Sequence, residues 1–448
     1  MSADASASDA AADAASAADA SARPLASRPA GTPVGALPQG RIVSHLPVVD
    51  TPAELLPGAL DHYQLFQDVS GDDLAAWAAA RSIAPEVMER IDGLWDRHEY
   101  DTSLLQVLAG ADLLTDGLDV PGHRQLSPLG AGLVNMELSR IDGSVATMVG
   151  VQAGLALRSI VLLGSEEQKQ RWVEPLVTGR EFGAFALTEP DHGSDSVSLE
   201  TVARRDGEDW VITGEKRWIG NGAGGHVSVV WARVDDPADA ALHGQVSGFL
   251  VEQSLPGYEA ERIVGKTALR AIDQAHIRLD GVRVPDAARL PGARSFKDTG
   301  RVLYATRAGV SWGALGHALA CFEAAVEYAG ARVQFGKVLA KHQHVQVRLA
   351  RMLGTLVSMQ LQCLRLAQLE AAGEVRADQA SLAKGFCTRG AREIAADARD
   401  LLGGNGILLQ NSVARHMADI EALHTYEGTE TMQALIVGRA ITGVSAFA

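Results

Sequence analysis

The 448-residue sequence contains few cysteines, no excess of basic charge and no long apolar run. Its cysteines, Cys321, Cys363 and Cys387, lie far apart and form no CxxC pair. This spacing argues against a disulfide framework or a zinc site and fits a reducing cytoplasm. The net charge of −15 argues against a nucleic-acid or anionic-membrane partner. No run approaches the roughly eighteen apolar residues of a membrane span, so none is expected.

Large apolar side chains are almost missing from residues 1–40, where Ala, Ser, Asp and Pro dominate. Such a segment cannot bury enough surface to offset the entropy lost on ordering, so we expect a disordered tail. The tail also lacks a basic n-region and an apolar h-region, so a secretory signal is not expected.

The rest of the sequence is long enough for two or three packed units, and its pattern changes twice. Residues 41–179 carry apolar side chains at three- and four-residue spacing, which predicts an N-terminal helical domain interrupted at Pro85. Residues 180–295 alternate with period two around Gly and Asp turns, which predicts a central antiparallel β-domain. Residues 296–448 predict a C-terminal four-helix bundle, so the fold class is α+β. Its four predicted helices cover about 302–330, 340–372, 376–402 and 429–445.

Three motif matches lack the context that their chemistry requires. GNGAGG at 220–225 satisfies G-x-G-x-x-G, but a strand-like run follows it where a dinucleotide fingerprint needs a helix. GVSWG at 309–313 satisfies G-x-S-x-G inside a helical run, so Ser311 is interpreted as a small packing residue. His342 and His344 do not face each other on a helix, so we expect surface histidines and no metal site.

Two turns in the β-region favour a bound cofactor. In FGAFALTEPDHGSDSVSLE, residues 182–200, Thr188, Ser194 and several backbone N–H groups crowd a Pro/Gly-rich turn. Successive backbone donors of this kind form anion sites, although an ordinary entry loop has the same composition. In KRWIGNG, residues 216–222, a planar ring could lie against Trp218, and a buried core tryptophan is the alternative.

Two helix ends also favour a ligand. RDLLGGNG, residues 399–406, ends a predicted helix with glycines, which form a plain C-cap or let a ligand approach the backbone. ARVQFG, residues 331–336, ends another helix and leaves Arg332 able to hold a phosphate. An ordinary surface arginine is the alternative at that position.

A carboxylate, Glu427, stands between Tyr426 and Gly428 just ahead of the helical run in HTYEGTETMQALIVGRAITG. By itself it could be a solvated loop charge. Together with a ring platform, two glycine turns and an arginine, it indicates a base beside a bound dinucleotide. Desolvation by Tyr426 and the apolar bundle would raise the carboxyl pKa toward neutral pH, as a general base requires.

Five ordered segments, TEPDHGSD, KRWIGNG, RVQFG, LLGGNG and YEGT, resemble the acyl-CoA dehydrogenase family of flavoproteins. The resemblance covers roughly residues 50–448. TYEGTETMQALIVGRAITGVSAF is similar to the glutaryl-CoA dehydrogenase branch. EKRWIGNG, LPGARSFKDTGRVLYATR and ASLAKG resemble the plant peroxisomal short-chain acyl-CoA oxidases more closely. The family implies FAD, a homotetramer, helical, β and helical domains, and α,β-dehydrogenation of an acyl-CoA thioester.

The resemblance implies that Glu427 removes the α-proton while the β-hydrogen leaves as hydride to flavin N5. The Glu427 backbone N–H and a flavin ribityl hydroxyl would bind the thioester carbonyl. Ser194, Arg307 and Gly428 match substrate-contacting positions. Arg332 and Gln343 would reach the FAD of a neighbouring subunit. The implied FAD-binding residues are Phe185, Ala186, Leu187, Thr188, Ser194, Trp218, Ile219, Gly220, Arg332, Phe335, Gln343, Asp400, Leu401, Leu402, Gly403, Gly404 and Thr429.

Two positions depart from the family pattern. Most relatives have a threonine, whose hydroxyl reaches flavin N5, where this chain has Gly220. The glutaryl-CoA dehydrogenases have an arginine, which pairs with the distal carboxylate of the substrate, where this chain has Ala146. An unpaired buried carboxylate is unfavourable, so we expect a neutral acyl chain, and the resemblance favours a short one.

The electron acceptor is expected to be electron-transfer flavoprotein. An acyl-CoA oxidase that uses oxygen is the alternative, and a non-catalytic scaffold with the same fold is a third hypothesis. The C-terminal SAFA is not a peroxisomal address, which favours the dehydrogenase. A cytoplasmic enzyme of fatty acid metabolism is therefore the expectation.

Overall fold

The computed structural model describes residues 51–56 and 60–446, so the predicted tail at 1–40 lies outside the described residues. Within these described residues, eight α-helices precede the sheet. They are α1 Pro52–Leu55, α2 Gly71–Ser82, α3 Ala84–Arg97, α4 Ser103–Gly110, α5 Pro128–Ile141, α6 Gly143–Val149, α7 Arg158–Leu163 and α8 Glu166–Val177.

Local sequence explains two of these boundaries. Helices α2 and α3 are separate because Pro85 stands in the first turn of α3, where its missing N–H is tolerated. Helix α8 begins in a capping box, in which the Ser165 hydroxyl accepts from the Gln168 N–H and the Gln168 side chain accepts from the Ser165 N–H.

A π-helical stretch, Gly150–Leu157, joins α6 to α7. Such stretches are rare and are frequent at functional sites. Gln152 in this stretch is buried, and it donates to Leu176 O and Glu181 O and accepts from the Gly183 N–H. The stretch is thereby fixed against the first strand of the sheet.

The sheet has seven strands: β1 Gly183–Ala186, β2 Val202–Asp206, β3 Asp209–Gly220, β4 Val227–Asp235, β5 Val246–Glu252, β6 Tyr258–Arg262 and β7 Gln274–Pro285. The order is β1-β4-β2-β3-β7-β6, with β5 also paired to β4. The antiparallel prediction holds for β2–β3, β3–β7, β4–β5 and β6–β7. It is wrong for β1–β4 and β2–β4, which are parallel. Period-two alternation shows that a segment is a strand but does not encode the direction of its partner.

The last third of the chain forms five helices, α9 Phe296–Ala331, α10 Gln343–Ala371, α11 Ala377–Leu401, α12 Val413–Thr425 and α13 Glu430–Thr442. A two-stranded hairpin, β8 Val333–Gln334 and β9 Lys337–Val338, separates α9 from α10. Helix α12 is absent from the sequence prediction. Its buried face carries Arg415, His416 and Asp419, so the apolar periodicity that reveals a helix is broken there.

One apolar core joins the N-terminal helices to one face of the sheet, and a second joins them to the C-terminal bundle.

In the described residues, the continuous helical stretch Gly143–Leu163 has the length and mean hydropathy, 1.6, of a membrane span. In this structure 61 % of its most apolar window is buried against the rest of the protein, and a core helix meets the same criteria.

Candidate active site

The carboxylate of Glu427 lies half-buried in the turn between α12 and α13. Its backbone φ is +52°, and that of Gly428 is +87°. A side chain in this left-handed region costs about 1–3 kcal/mol and persists only where the surroundings hold it. The Thr306 hydroxyl of α9 donates to Glu427 Oε2 at 2.9 Å, which orients the carboxylate. The sequence alternative of a solvated loop charge is therefore wrong.

Burial raises the pKa of Glu427 above its usual value. The charge of Lys384, the Thr306 hydroxyl and the charge of Arg307 each oppose that rise, and the charge of Asp116 reinforces it. The net pKa shift is upward, as a carboxylate needs if it is to accept a proton near neutral pH.

Two side chains hold the turn that carries Glu427. Lys384 Nζ, from α11, donates to Tyr426 O and Gly428 O. Gln433 Nε2, from α13, donates to Glu427 O at 3.1 Å and Gly428 O at 2.9 Å. Lys384 and Gln433 are each 1 % exposed, so these bonds lie in a dry environment where hydrogen bonds are strong.

Arg307 stands one residue after Thr306 and is half-buried. Its Nη1 donates to Ser381 Oγ at 3.2 Å, and its buried Nε has no hydrogen-bond partner among the described residues. Burial lowers the pKa of Arg307. A buried donor without a partner is unfavourable, so this guanidinium suits an acceptor supplied by a ligand.

The ends of β1 and β3 form a wall beside this region. The Arg217 N–H donates to Thr188 O at 2.8 Å, and buried Lys216 donates to Leu187 O at 3.1 Å. These bonds bring residues 185–188 next to 217–220. Trp218 has a φ of +65° and is 53 % exposed, so the alternative of a buried core tryptophan is wrong.

The π-helical stretch connects this wall to Glu427. A Cβ added at Gly220 would lie 2.6 Å from Val151 Cγ2. One turn further along the stretch, a Cβ added at Gly154 would lie 3.5 Å from Thr306 Cγ2. The wall, the stretch and the carboxylate are therefore neighbours, although the sequence separates them widely.

A depression with an empty volume of about 310 Å³ opens beside the stretch. Its lining is mostly apolar and consists of Leu113, Asp116, Leu126, Ala131, Val134, Asn135, Leu138, Ala146 and Val149. Asp116 Oδ2 accepts from Arg158 at 2.9 Å, so the charge of that carboxylate is paired. The mostly apolar lining suits an apolar group.

Comparison with known proteins yields three domain matches. The descriptions "Acyl-CoA dehydrogenase, N-terminal domain", "middle domain" and "C-terminal domain" match residues 72–180, 184–282 and 296–442. The human mitochondrial short-chain specific acyl-CoA dehydrogenase is 33 % identical over 345 residues, which are 76 % of this chain and 82 % of that protein.

The chain belongs to the acyl-CoA dehydrogenase family.

Solved structures agree with this assignment. A crystal structure of glutaryl-CoA dehydrogenase from Mycobacterium smegmatis is 38 % identical, with a TM-score of 0.83 over 87 % of this chain and 100 % of that one. A glutaryl-CoA dehydrogenase structure from the same organism, in complex with FADH2, is 35 % identical with a TM-score of 0.84 and the same coverage. This acyl-CoA dehydrogenase is accordingly an FAD-dependent oxidoreductase with the α+β fold of the family.

The wall formed by residues 185–188 and 217–220 fits a flavin. A large aromatic side chain, Trp218, is held at a disfavoured backbone angle and more than half exposed. Within the wall, Phe185, Ala186, Leu187 and Ile219 are buried and Thr188 is half-buried, and nearby in sequence Ser194 is exposed. An apolar surface with backbone groups at its edge is suited to hold a planar ring with a polar rim.

A separate group of predicted FAD residues lies at the hairpin and the adjoining helix ends. Phe335, at the hairpin tip, is 95 % exposed with a φ of +51°, and Arg332 ends α9 half-buried. Gln343 is exposed at the start of α10, where Arg348 also pairs with exposed Asp400 at 2.6 Å. The rest of the group comprises Leu401, Leu402, Gly403 and Gly404.

Among the described residues, no hydrogen bond, ion pair or ring contact joins this hairpin group to the Trp218 wall or to Glu427. Thr429 lies apart from the hairpin group and caps α13, where its hydroxyl accepts from the Met432 N–H at 3.4 Å. Ser311 is buried within α9. The described residues contain no group of three or more His, Cys, Asp or Glu side chains placed to hold a metal ion.

Sequence reasoning missed four residues that hydrogen-bond to the Glu427 turn or shift the pKa of its carboxyl group: Thr306, Lys384, Gln433 and Asp116. Only one of them carries a usable signal. Lys384 is the only charged residue among the buried, described residues of α11, and its position on an otherwise small and apolar helix face is unusual.

Proposed function

We propose that this acyl-CoA dehydrogenase converts a neutral, short-chain acyl-CoA thioester to the trans-2-enoyl-CoA, with Glu427 as the base. The observation that supports it best is the Glu427 carboxylate, which is desolvated, oriented by Thr306 and close to the wall that fits FAD. Glu427 takes the α-hydrogen as a proton, and the β-hydrogen leaves with its electron pair. Bound FAD supplies the acceptor for that hydride.

The turn around Glu427 also provides a donor for the thioester carbonyl. The Glu427 backbone N–H makes no hydrogen bond to the described part of the chain, so it is free to bind that oxygen. Charge develops there as the α-proton leaves, and a preorganised donor in a dry site stabilises it. The charge of Arg307 acts on Glu427, the neighbour of Gly428, and both Arg307 and Gly428 would contact the substrate.

The lining of the depression beside Ala146 supports an uncharged chain, because it is mostly apolar and offers a distal carboxylate no free cation. Arg158, which pairs with Asp116 of that lining at 2.9 Å, is not free to bind a distal carboxylate. Glutaryl-CoA is therefore a poor candidate despite the similarity to glutaryl-CoA dehydrogenases.

We also propose electron-transfer flavoprotein as the acceptor, a homotetramer and a cytoplasmic location. The hairpin group that includes exposed Phe335 supports the tetramer, because its members match FAD-binding positions yet lie apart from the wall of the same chain. An oxidase is the alternative, and peroxide released in air after butyryl-CoA is added would identify it. Purified protein that stays colourless after FAD is added would favour the third hypothesis, a non-catalytic scaffold with the same fold.

The test is anaerobic flavin reduction by CoA thioesters of about four to sixteen carbons, and by glutaryl-CoA. The wild type should be reduced fastest by a short neutral chain. Loss of the base in Glu427→Gln should lower the reduction rate by at least ~10²–10⁴-fold with FAD retained. Glu421→Gln, which alters an exposed carboxylate on α12, is the matched control. Rapid reduction of Glu427→Gln, or of the wild type by glutaryl-CoA, would contradict the proposal.

A further inference from the structure

Lys384 takes part in neither the proton transfer nor the hydride transfer, yet it is one of two side chains that hold the Glu427 turn. It is 1 % exposed, and its ammonium donates to the carbonyls of Tyr426 and Gly428, the two neighbours of Glu427. A buried ammonium without a carboxylate in hydrogen-bond contact is uncommon.

The geometry of one peptide bond shows what this contact does. The described backbone contains no cis peptide, and in a planar trans peptide the C=O and the N–H point in opposite directions. Lys384 holds the Tyr426 carbonyl toward itself. The N–H of the same peptide belongs to Glu427, and it must point to the opposite side of the turn, away from Lys384.

The charge of Lys384 acts on the neighbouring carboxylate as well. The groups facing Glu427 are Lys384 from α11, Thr306 and Arg307 from α9, and Asp116 from the loop after α4. The first three favour the ionised carboxylate and Asp116 disfavours it, with Lys384 the strongest of the favourable group. Burial lowers the pKa of Lys384 to about 8, so it is largely cationic at neutral pH.

We propose that Lys384 is a positioning residue for the dehydrogenation: it aims the Glu427 N–H at the thioester oxygen and keeps the Glu427 carboxylate ionised. The inference rests on the proposed function of Glu427 and adds a residue to it. Without the cation, the Tyr426–Glu427 peptide could rotate, which would misdirect the donor, and the carboxylate would bind its own proton more tightly.

The test compares wild-type holoenzyme with Lys384→Met, which removes charge and donor, and Lys384→Gln, which keeps a donor without the charge. Thr388→Val is the matched control, because Thr388 is buried one turn along the same helix and its hydroxyl bonds Lys384 O and His424, not Tyr426 or Gly428. FAD content and thermal unfolding are measured for each protein. The functional readouts are anaerobic reduction by butyryl-CoA and enolate formation from acetoacetyl-CoA, followed by absorbance against pH.

Acetoacetyl-CoA isolates the step in question, since its acidic α-proton leaves reversibly and no hydride transfer is needed. Lys384→Met should retain FAD, reduce about 10²–10³-fold more slowly and form the enolate weakly. The acid limb of its pH profile should shift to higher pH by about one pH unit, because the positive charge that favoured ionisation of Glu427 is gone. Lys384→Gln should recover part of the rate and keep the shifted limb, and Thr388→Val should match wild type.

Lower thermal stability of Lys384→Met with a wild-type acid limb and wild-type enolate formation would overturn the proposal and leave a purely structural role. If Lys384→Met does not fold, Lys384→Gln serves instead. A wild-type acid limb in the pH profile of Lys384→Gln would then overturn the proposal. Failure of the proposed function is distinct from either result, because the wild type itself would then show no reduction by butyryl-CoA and no enolate.

Discussion

The hydrogen bond from Thr306 to Glu427 predicts a measurable change in the pH dependence of the reaction. Thr306→Val removes the hydroxyl and nearly preserves the shape of the side chain. The Oγ1–Oε2 distance is 2.9 Å, Thr306 is 9 % exposed, and the acceptor is a carboxylate. Because the hydroxyl stabilises only the ionised form of Glu427, its loss must raise the pKa of Glu427.

The size of the pKa rise follows from the energy of such a bond. A hydrogen bond to a charged group contributes about 1.5–3 kcal/mol, and one pKa unit corresponds to about 1.36 kcal/mol. The same hydroxyl can donate to Leu303 O at 3.1 Å instead, so the lower end of this range applies. We therefore expect a rise of about one unit.

The assay is anaerobic stopped-flow reduction by butyryl-CoA across the acid limb of the pH profile. The limb should move up by about one unit, while the rate on the plateau changes much less. Thr299→Val is the matched control, since Thr299 lies two turns earlier on α9, is fully buried, and its hydroxyl has no partner among the described residues. A Thr306→Val limb that coincides with wild type would refute the assignment of Glu427 as the base.

Two further predictions concern the wall that fits FAD. Gly220→Thr should destabilise the holoenzyme by about 1–3 kcal/mol, since the added Cβ would lie 2.6 Å from Val151 Cγ2. Adding Val151→Ala should recover part of that loss in thermal unfolding, and an unchanged melting temperature in the single variant would contradict the packing. Lys216→Met should cost about 3–5 kcal/mol, because it leaves the Glu189 carboxylate buried without its ion-pair partner at 2.8 Å. Denaturant unfolding and FAD content should both fall, and a loss below about 1 kcal/mol would show that the pair is not coupled to the fold.

Much of the architecture was predictable because it depends on local pattern. The break at Pro85, the cap at Ser165 and the change from helix to strand spacing near residue 180 are properties of adjacent residues. The parallel pairing of β1 with β4 was not predictable from local pattern, because strand direction depends on the path of the chain between the two strands. Helix α12 was missed because three of its six buried side chains, Arg415, His416 and Asp419, are polar. Partners such as Asp142 for Arg415 and His317 for His416 lie far away in the sequence.

The candidate site divides in the same way. The position of Glu427 before a helix, and its family resemblance, are visible in the sequence. Nothing local indicates that Thr306, 121 residues earlier, donates to its carboxylate, or that Lys384 holds its neighbouring carbonyls. From the sequence, Trp218 could be a buried core residue or a surface for a planar ring, and only its exposure in the fold decides between these two alternatives.

The sequence by itself determined most of the segments that form helices or strands, with α12 the exception, and it placed a carboxylate in a turn that enters a helix. The tertiary structure alone decided whether that carboxylate can act as a base. Proton affinity depends on water exclusion and on charges within a few ångströms, and these come from helices that meet only when the bundle closes.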